Sequence, residues 1–168
     1  MTASVDSLLD RMAAVERRLA EHAAAPVPSG LTEPDELGDE RWEAGQVWAH
    51  LAEFPGYWLG QVQRIIAQPT HGAIPFGRVK TDVARIEAIE RERHTDPIAL
   101  LERVRASLGE VADAARSWPP ATWRLRGAHP SLGEMTVERI VERFIVDHLE
   151  EHADQLDGLR SASAASSE

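Results

Sequence analysis

The chain has 168 residues and a formal net charge of −10 with histidine neutral; 43% of its residues are apolar and 27% are charged. These proportions are typical of one globular domain with its own core. No apolar run approaches the ~20 residues that span a bilayer. The polar N-terminus lacks the pattern of a secretion signal. We therefore expect a cytoplasmic protein that does not contact a membrane.

Two features of the composition exclude further classes of function. The arginines are scattered among an excess of carboxylates, which argues against a nucleic-acid partner. The chain has no cysteine, so it cannot form disulfides, thiolate metal sites or a cysteine nucleophile. If the protein performs thiol chemistry, a small molecule must bring the thiol.

Two amphipathic helices are predicted in the first part of the chain. Apolar residues recur at helical spacing from Ser4 to about Ala25, and the prolines and glycine of residues 26–30 end this helix. A second helical pattern begins near Asp39, and Pro55-Gly56 is expected to kink or break it. Its apolar stripe includes one histidine among large hydrophobic residues: Val47, His50, Leu51, Phe54, Trp58, Val62 and Ile65.

A long connection is predicted to separate helices two and three. Residues 69–78 contain two prolines and two glycines and are interpreted as a loop. A short helical rhythm from Asp82 to about Arg91 belongs to the same connection. Asp96-Pro97 supplies a cap followed by proline at the first helical position, so helix three begins there. Pro119-Pro120 ends it.

Helix four is predicted from about Met135 to Arg160. Two histidines lie in its apolar stripe, at positions where leucine or valine would be expected: Val137, Val141, Phe144, His148, His152, Leu156 and Leu159. The serine-rich residues 161–168 are predicted to form a disordered tail. No segment shows convincing strand alternation. We therefore predict an all-α domain over residues 1–160, a four-helix bundle with a long crossover between helices two and three.

Three histidines are predicted to point into one core from two helices. His148 and His152 lie about one turn apart and project from the same helix face, and His50 lies on the apolar stripe of helix two. At about 1.5 Å of rise per residue, His50 is about 16 Å from the start of helix two. The midpoint of the other pair is about 15 Å from the end of helix four. If the two helices are antiparallel neighbours, the three rings are level.

A divalent metal ion would satisfy such a trio. Each buried imidazole nitrogen without a partner costs about 1 to 3 kcal/mol, and an ion accepts one nitrogen from each ring. Three neutral nitrogen ligands leave a fourth position for water or substrate, as in catalytic zinc sites. Zinc is the first expectation, with nickel, copper and ferrous iron as alternatives. For each histidine alone, the alternative is a core residue hydrogen-bonded to a backbone group or a carboxylate.

The remaining candidate residues carry weaker signals. His148 to His152 also matches the H-x-x-E-H pattern of inverzincin metalloproteases, but we interpret Glu151 as a residue of a solvated helix face. Arg78 and the other histidines are interpreted as surface or turn residues: His22, His71, His94 and His129. The tryptophans are interpreted as core and lid packing: Trp42, Trp48, Trp58, Trp118 and Trp123.

Two motifs resemble those of the DinB-like superfamily. The first is the segment 48–53, WAHLAE, in helix two. The second is the segment 129–137, HPSLGEMTV, which leads into His148-xxx-His152. The motifs are short, but the resemblance as a whole covers nearly the whole chain to about Arg160. This superfamily includes thiol-dependent S-transferases and the mycothiol-dependent maleylpyruvate isomerases.

The resemblance implies a four-helix bundle with a long crossover and a metal held by His50, His148 and His152. It also implies a low-molecular-weight thiol, mycothiol or bacillithiol, that loses its proton on the metal and becomes a nucleophile. The chain is rich in alanine and arginine. This composition resembles that of actinobacterial proteins and therefore favours mycothiol as the thiol. The isomerases carry a further C-terminal domain where this sequence has a serine-rich tail, so isomerase activity is not expected.

We therefore predict a metal-dependent S-transferase that joins a small thiol to a small electrophile. One alternative is a non-catalytic metal-binding module of the stress response that acts as a homodimer. Another is metal-assisted hydrolysis, in which Glu53 or Glu151 would lie near the open metal position. The residue patterns alone leave these alternatives open.

Overall fold

The fold is known from a computed structural model, which describes residues 5–34, 40–68 and 72–165. The helices are α1 (Val5–Ala24), α2 (Ala44–Ala67), α3 (Val83–Glu92), α4 (Pro97–Ser117), α5 (Val137–Val141) and α6 (His148–Ala165). A π-helical segment, Glu142–Asp147, joins α5 to α6 without a break. The strands are β1 (Ile74–Pro75), β2 (Arg126–His129) and β3 (Gly133–Thr136).

Four long helical rods form a bundle, which confirms the predicted fold class. The rods are α1, α2, α4 and the continuous unit from α5 to α6. Helix α2 packs against α4 and α6, and α1 packs against the same two helices from the other side. The predicted crossover between the second and third rods comprises residues 68–96 and carries β1 and α3.

The direction of α4 explains why a long crossover is needed. Near the start of α2, Gly45 lies against the backbone of Arg93, just before α4 begins; further along α2, Gly56 lies against the side chain of Ser107. Residue numbers therefore rise in the same direction along the two helices, so α2 and α4 are parallel neighbours. Parallel neighbours cannot be joined by a tight turn, because the chain must first return to the starting end of the bundle.

Helix α6 runs in the opposite direction to α2. His50, early in α2, contacts His148, whereas Trp58, two turns later, stacks on Phe144, which precedes His148 in the chain. The antiparallel arrangement assumed for the histidine cluster is therefore present. It brings the first half of α2 level with the start of α6.

The core is built from the predicted apolar stripes. All seven residues predicted to line the buried face of the second helix are buried in α2. Of the predicted kink or break at Pro55-Gly56, the break does not occur, since α2 is helical from Ala44 to Ala67. Pro55 removes the hydrogen bond to the Leu51 carbonyl, but Phe54 and Trp58 on either side of it are buried. Packing of this stripe therefore stabilises the helix through the proline.

A small sheet was not predicted from the sequence. β1 pairs in parallel with β2, and β2 pairs with β3 as an antiparallel hairpin. The strands have two to four residues, too few for an alternating pattern to stand out. The Phe76 amide also donates to the Ala128 carbonyl, at 3.1 Å. The sheet thus attaches the first part of the crossover, around β1, to the hairpin that leads into α5.

The last helix is longer than predicted. Helix α6 continues to Ala165, five residues beyond Arg160, whereas the tail was expected to be disordered from Ser161. The Ser163 hydroxyl donates to the Ser29 carbonyl at 3.1 Å, and the Ser29 amide lies 3.1 Å from the same hydroxyl oxygen. These contacts connect the helix end to the loop after α1. Residues 166–168 lie outside the described part of the chain.

None of the helices in the described residues combines the length and the apolarity needed to cross a membrane.

Gly45 is expected to be required for the close approach of α2 to the crossover. A Cβ atom at this position would meet the Arg93 carbonyl oxygen at a distance that real Cβ atoms do not reach. Gly45→Ala is therefore expected to destabilise the fold by about 1 to 3 kcal/mol, because the backbone must shift. Urea unfolding measures the change.

Gly60→Ala is the matched control for this prediction. Gly60 lies in the interior of the same helix and has no atom within 4 Å of an added Cβ. Alanine there is expected to stabilise the protein by up to about 1 kcal/mol, through helix propensity alone. A stabilising effect of both substitutions would contradict the role assigned to Gly45.

Candidate metal centre

The structure brings the three predicted histidines together. His50 lies in the second turn of α2, His148 is the first residue of α6, and His152 follows one turn later. The Nε2 atom of His148 lies 3.0 Å from Nε2 of His50 and 3.2 Å from Nε2 of His152. One ligand atom of each ring lies within 4.8 Å of the other two. We call these three residues the histidine cluster.

The far side of two of the rings shows which nitrogen carries the proton. Nδ1 of His148 lies 3.2 Å from a carboxylate oxygen of Glu151, and Nδ1 of His152 lies 2.8 Å from the amide oxygen of Gln155. Both oxygens only accept hydrogen bonds, so each Nδ1 is the donor. An imidazole that binds a metal is neutral and has one proton, so in the metal-binding form the Nε2 atoms of both rings carry the lone pairs.

This arrangement fits a bound cation. The lone pairs of His148 and His152 face each other at 3.2 Å, and no proton lies between them because both protons are on Nδ1. Two acceptors at this distance repel unless a positive charge lies between them. Tetrahedral zinc with Zn–N bonds of about 2.0–2.1 Å places its nitrogen ligands about 3.3 Å apart. The observed spacing is close to that value.

Aromatic rings enclose the cluster. Phe54 packs with its ring centroid 5.1 Å from His50 and 4.6 Å from His148. Trp42 stacks on His152 at 5.7 Å and meets His50 edge-on at 5.3 Å. The guanidinium of Arg85, on α3, lies over the Trp42 ring, 5.2 Å from the ring centroid. Trp42 was assigned to packing from the sequence, and its packing partners are the imidazoles of this site.

Burial keeps two of the rings neutral. Burial lowers the pKa of His50 and of His152 well below the ordinary value of 6.5, and the positive charge that the neighbouring histidines would carry lowers both further. Both imidazoles are therefore deprotonated at neutral pH. A metal can bind them without displacing a proton from the ligand nitrogen.

These lowered pKa values predict an acid-sensitive apo protein. Below pH 6.5 the unfolded chain binds protons at His50 and His152 while the folded chain does not, so stability falls as the pH falls towards the folded pKa values. Above pH 6.5 both states are neutral and this contribution is constant. We expect the urea midpoint of chelator-treated protein to fall more steeply from pH 6.5 to 5 than that of the double variant His50→Gln, His152→Gln.

The double variant retains every other titrating group and is therefore the control for the wild-type protein. Equal pH dependence in the two chelator-treated proteins would contradict the assignment of buried, neutral imidazoles. The comparison is valid where both proteins show the same denaturant slope.

His148 lies at the rim of the site. Its side chain is 30% exposed, whereas those of His50 and His152 are almost completely buried. The π-helical segment that ends at Asp147 directly precedes it. A π-turn inserts about one extra residue into a helix, and such turns are frequent at functional sites. His148 is therefore the residue of the cluster that is most accessible to solvent.

Three of the weaker predictions need correction: those for Arg78, His129 and His22. Arg78 was interpreted as a surface loop residue, but its side chain is 9% exposed and lies 2.6 Å from a carboxylate oxygen of Glu53. His129 was interpreted as a turn residue, but it ends β2 and is buried. Both belong to segments without a periodic pattern, so their burial depends on long-range contacts that the sequence did not reveal.

The remaining histidines lie away from the cluster. His22 was expected at the surface, but it is buried and lies 2.8 Å from a carboxylate oxygen of Asp157. His94 is exposed, as predicted. His71 lies outside the described residues.

Residues 12–157 match the family described as the mycothiol maleylpyruvate isomerase N-terminal domain. The match includes the three histidines and both motifs that resemble the DinB-like superfamily. The chain belongs to this family. The predicted membership of the DinB-like superfamily is therefore confirmed, and this chain has the helical bundle and the three-histidine cluster described above.

Solved structures share the fold of this chain. YfiT from Bacillus subtilis, described as a probable metal-dependent hydrolase with an unusual four-helix bundle topology, is 17% identical with a TM-score of 0.68, over 94% of this chain and 86% of that one. A mutant of the mycothiol-dependent maleylpyruvate isomerase is 12% identical with a TM-score of 0.67. That match covers 92% of this chain but 61% of the isomerase.

A third similar structure, an uncharacterized protein from Clostridium difficile 630, is 6% identical with a TM-score of 0.66 and is matched over 96% of this chain and 98% of its own length. At these identities the likeness concerns the fold. No protein of curated function matches the sequence.

Proposed function

We propose that this protein is a metal-dependent S-transferase. His50, His148 and His152 hold a divalent ion, with zinc as the first candidate, and the co-substrates are a low-molecular-weight thiol of the mycothiol type and a small electrophile. The observation that carries the proposal is the convergence of three Nε2 atoms while the Nδ1 atoms of two rings are turned towards acceptor oxygens.

The arrangement of the residues suits this reaction. His50, His148 and His152 would hold the ion, and a thiol bound to it would have its pKa lowered into the neutral range. Phe54 and Trp42 shield the inner side of the cluster from water, and the half-exposed His148 leaves the outer side open. The thiol sulfur forms a bond to the electrophilic carbon, the leaving group departs from that carbon, and the thiol proton passes to solvent.

The positions of the carboxylates favour thiol transfer over hydrolysis. Metal-assisted hydrolysis generally uses a base beside the open metal position. The two nearby carboxylates, Glu53 and Glu151, approach the Nδ1 atoms of His50 and His148, on the opposite side of each ring from the converging Nε2 atoms. A thiol with a lowered pKa needs no separate base. The absence of cysteine from the chain agrees with a thiol that comes from a small molecule.

Hydrolysis is the second candidate, because YfiT, which shares the fold, is described as a probable metal-dependent hydrolase. A hydrolase of this site would act on an ester or amide without added thiol. The two candidates therefore differ in their requirement for thiol.

The test is the consumption of mycothiol with monobromobimane by zinc-loaded protein. We expect a rate above that of the uncatalysed reaction, and we expect His50→Ala to abolish the difference. The exposed His94→Ala is the matched control and should retain the activity. Ester hydrolysis without thiol would favour the second candidate. Stoichiometric metal without either activity would favour a non-catalytic metal-binding module, and an unchanged rate in His50→Ala would overturn the proposal.

A further inference from the structure

Each histidine of the cluster is followed three residues later by a side chain with an acceptor oxygen. On a helix this spacing places the two side chains side by side. The acceptors that follow His50, His148 and His152 are, in order, Glu53, Glu151 and Gln155. The same local device is therefore repeated once on α2 and twice on α6.

The His50 pair differs from the other two in its geometry. Nδ1 of His50 lies 3.4 Å from a carboxylate oxygen of Glu53, about 0.5 Å longer than a typical N–H···O hydrogen bond. It is one of two buried side-chain polar atoms without a hydrogen bond in the described residues. An unsatisfied buried nitrogen is costly, and the nearest charged group able to satisfy it is Glu53.

Glu53 is held by an arginine from the crossover. A terminal nitrogen of Arg78 lies 2.6 Å from each of the two carboxylate oxygens. The side chains of Glu53 and Arg78 are 17% and 9% exposed, so the pair is largely withdrawn from water. The Arg78 guanidinium also lies over the Tyr57 ring, 3.9 Å from its centroid. The carboxylate is therefore fixed in orientation beside His50.

The small sheet and its neighbours fix the position of Arg78. The Arg78 carbonyl accepts from Nε2 of His129, at 3.2 Å, and the Gly77 amide donates to the Gln61 side chain, at 2.9 Å. Gly77 has a φ of +86°, which favours glycine, and a Cβ there would meet the His129 ring. These contacts in the loop after β1 therefore hold Arg78 against the Glu53 carboxylate.

We propose that Glu53, held by Arg78, is the positioning residue of the metal centre. By accepting the Nδ1 proton of His50, it fixes the ring in the tautomer that directs the Nε2 lone pair into the cluster. This inference rests on the proposed metal site. It links the affinity of that site to a segment of the crossover that provides none of the three ligand residues.

The charges of the pair explain why both members are needed. A carboxylate that accepts from Nδ1 orients a ligand histidine and makes its other nitrogen a better donor to metal. A carboxylate this far from water is unfavourable unless it is paired. Arg78 provides the pairing charge and leaves the oxygen nearest His50 in position. Glu151 is exposed and does not need such a partner.

Zinc affinity, measured by competition with a chromophoric chelator, tests the proposal. Glu53→Ala is expected to weaken zinc binding about 10- to 100-fold, the range for loss of such a partner. Glu53→Gln is expected to restore most of the affinity, because its amide oxygen can accept from Nδ1 as Gln155 does for His152. The matched control is Glu16→Ala, which removes the 3.0 Å pair with Arg105 between α1 and α4 and should leave zinc affinity unchanged.

Urea unfolding of the chelated variants separates positioning from simple stabilisation. A purely structural ion pair would lower stability in both Glu53 variants and leave zinc affinity equal to that of the wild type, which would overturn the inference. If Glu53→Ala does not fold, NMR of the imidazole nitrogens in zinc-loaded wild-type protein decides. A proton on Nδ1 of His50 is expected, and a proton on its Nε2 would overturn the proposal.

The two proposals fail in different ways. Wild-type protein that binds no divalent metal would refute the proposed function. Wild-type protein that binds zinc tightly while Glu53→Ala binds it equally well would refute only the positioning role of Glu53.

Discussion

Replacement of His152 by alanine is expected to reduce the metal content of the protein from about one ion per chain to near zero. The ring contributes one of three nitrogens to the cluster, and two remaining imidazoles from different helices form a much weaker chelate. Elemental analysis of protein prepared without an affinity tag measures the change. The same variant is expected to lose all thiol-transfer activity.

His22→Ala is the matched control for this loss. His22 is also a buried histidine, but its ring nitrogen lies 2.8 Å from a carboxylate oxygen of Asp157, on the α1 side of α6. Its removal is expected to leave the metal content at the wild-type level. Equal metal content in wild type and His152→Ala would refute the three-histidine site.

Phe54→Ala is expected to cost about 3 to 5 kcal/mol of stability, the range for deletion of a buried aromatic side chain. Phe54 is completely buried, and its ring centroid lies within 6 Å of those of all three histidines: 5.1, 4.6 and 5.9 Å from His50, His148 and His152. The resulting cavity would adjoin the cluster, so the imidazoles would lose lateral support. Zinc affinity is therefore expected to fall together with stability.

Urea unfolding of the chelated protein and a zinc competition titration measure these two effects separately. Phe54→Leu fills most of the space and is expected to have smaller effects on both quantities. A Phe54→Ala variant with wild-type zinc affinity would show that the rings keep their positions without this contact.

The bundle and the histidine cluster could be predicted because they follow a repeating pattern. On α2 the helical period placed His50 in the same stripe as Leu51 and Phe54, and all three are buried. Matching heights along antiparallel rods then brought the imidazoles together. The helical period indicates which face of a helix is buried, so a cluster of residues on buried faces can be predicted from it.

The π-helical segment could not be predicted in this way. The regular stripe placed Phe144 and His148 in the core, but both are half-buried, while Ile145 and Leu149 are completely buried. The extra residue of the π-turn moves the buried face along by about one position. It also places His148 at the rim of the site, where the proposed substrates would enter.

The surroundings of the cluster come from segments without a repeating pattern. Trp42, Arg78 and Arg85 lie before α2 or on the crossover, and they reach the site through long-range contacts. The short strands that position Arg78 have too few residues to show alternation. Local sequence signals specify the scaffold and the three histidines, whereas tertiary packing specifies the residues that surround them.

The distance along the chain between the histidines also determines when the cluster can form. The nitrogens of His50 and His148 that meet at 3.0 Å are separated by 98 residues of chain, a contact of high sequence separation that closes late during folding. During synthesis, α6, which carries two of the three histidines, must leave the ribosome and dock before the cluster is complete. The complete cluster is therefore present only in a chain whose helices have assembled.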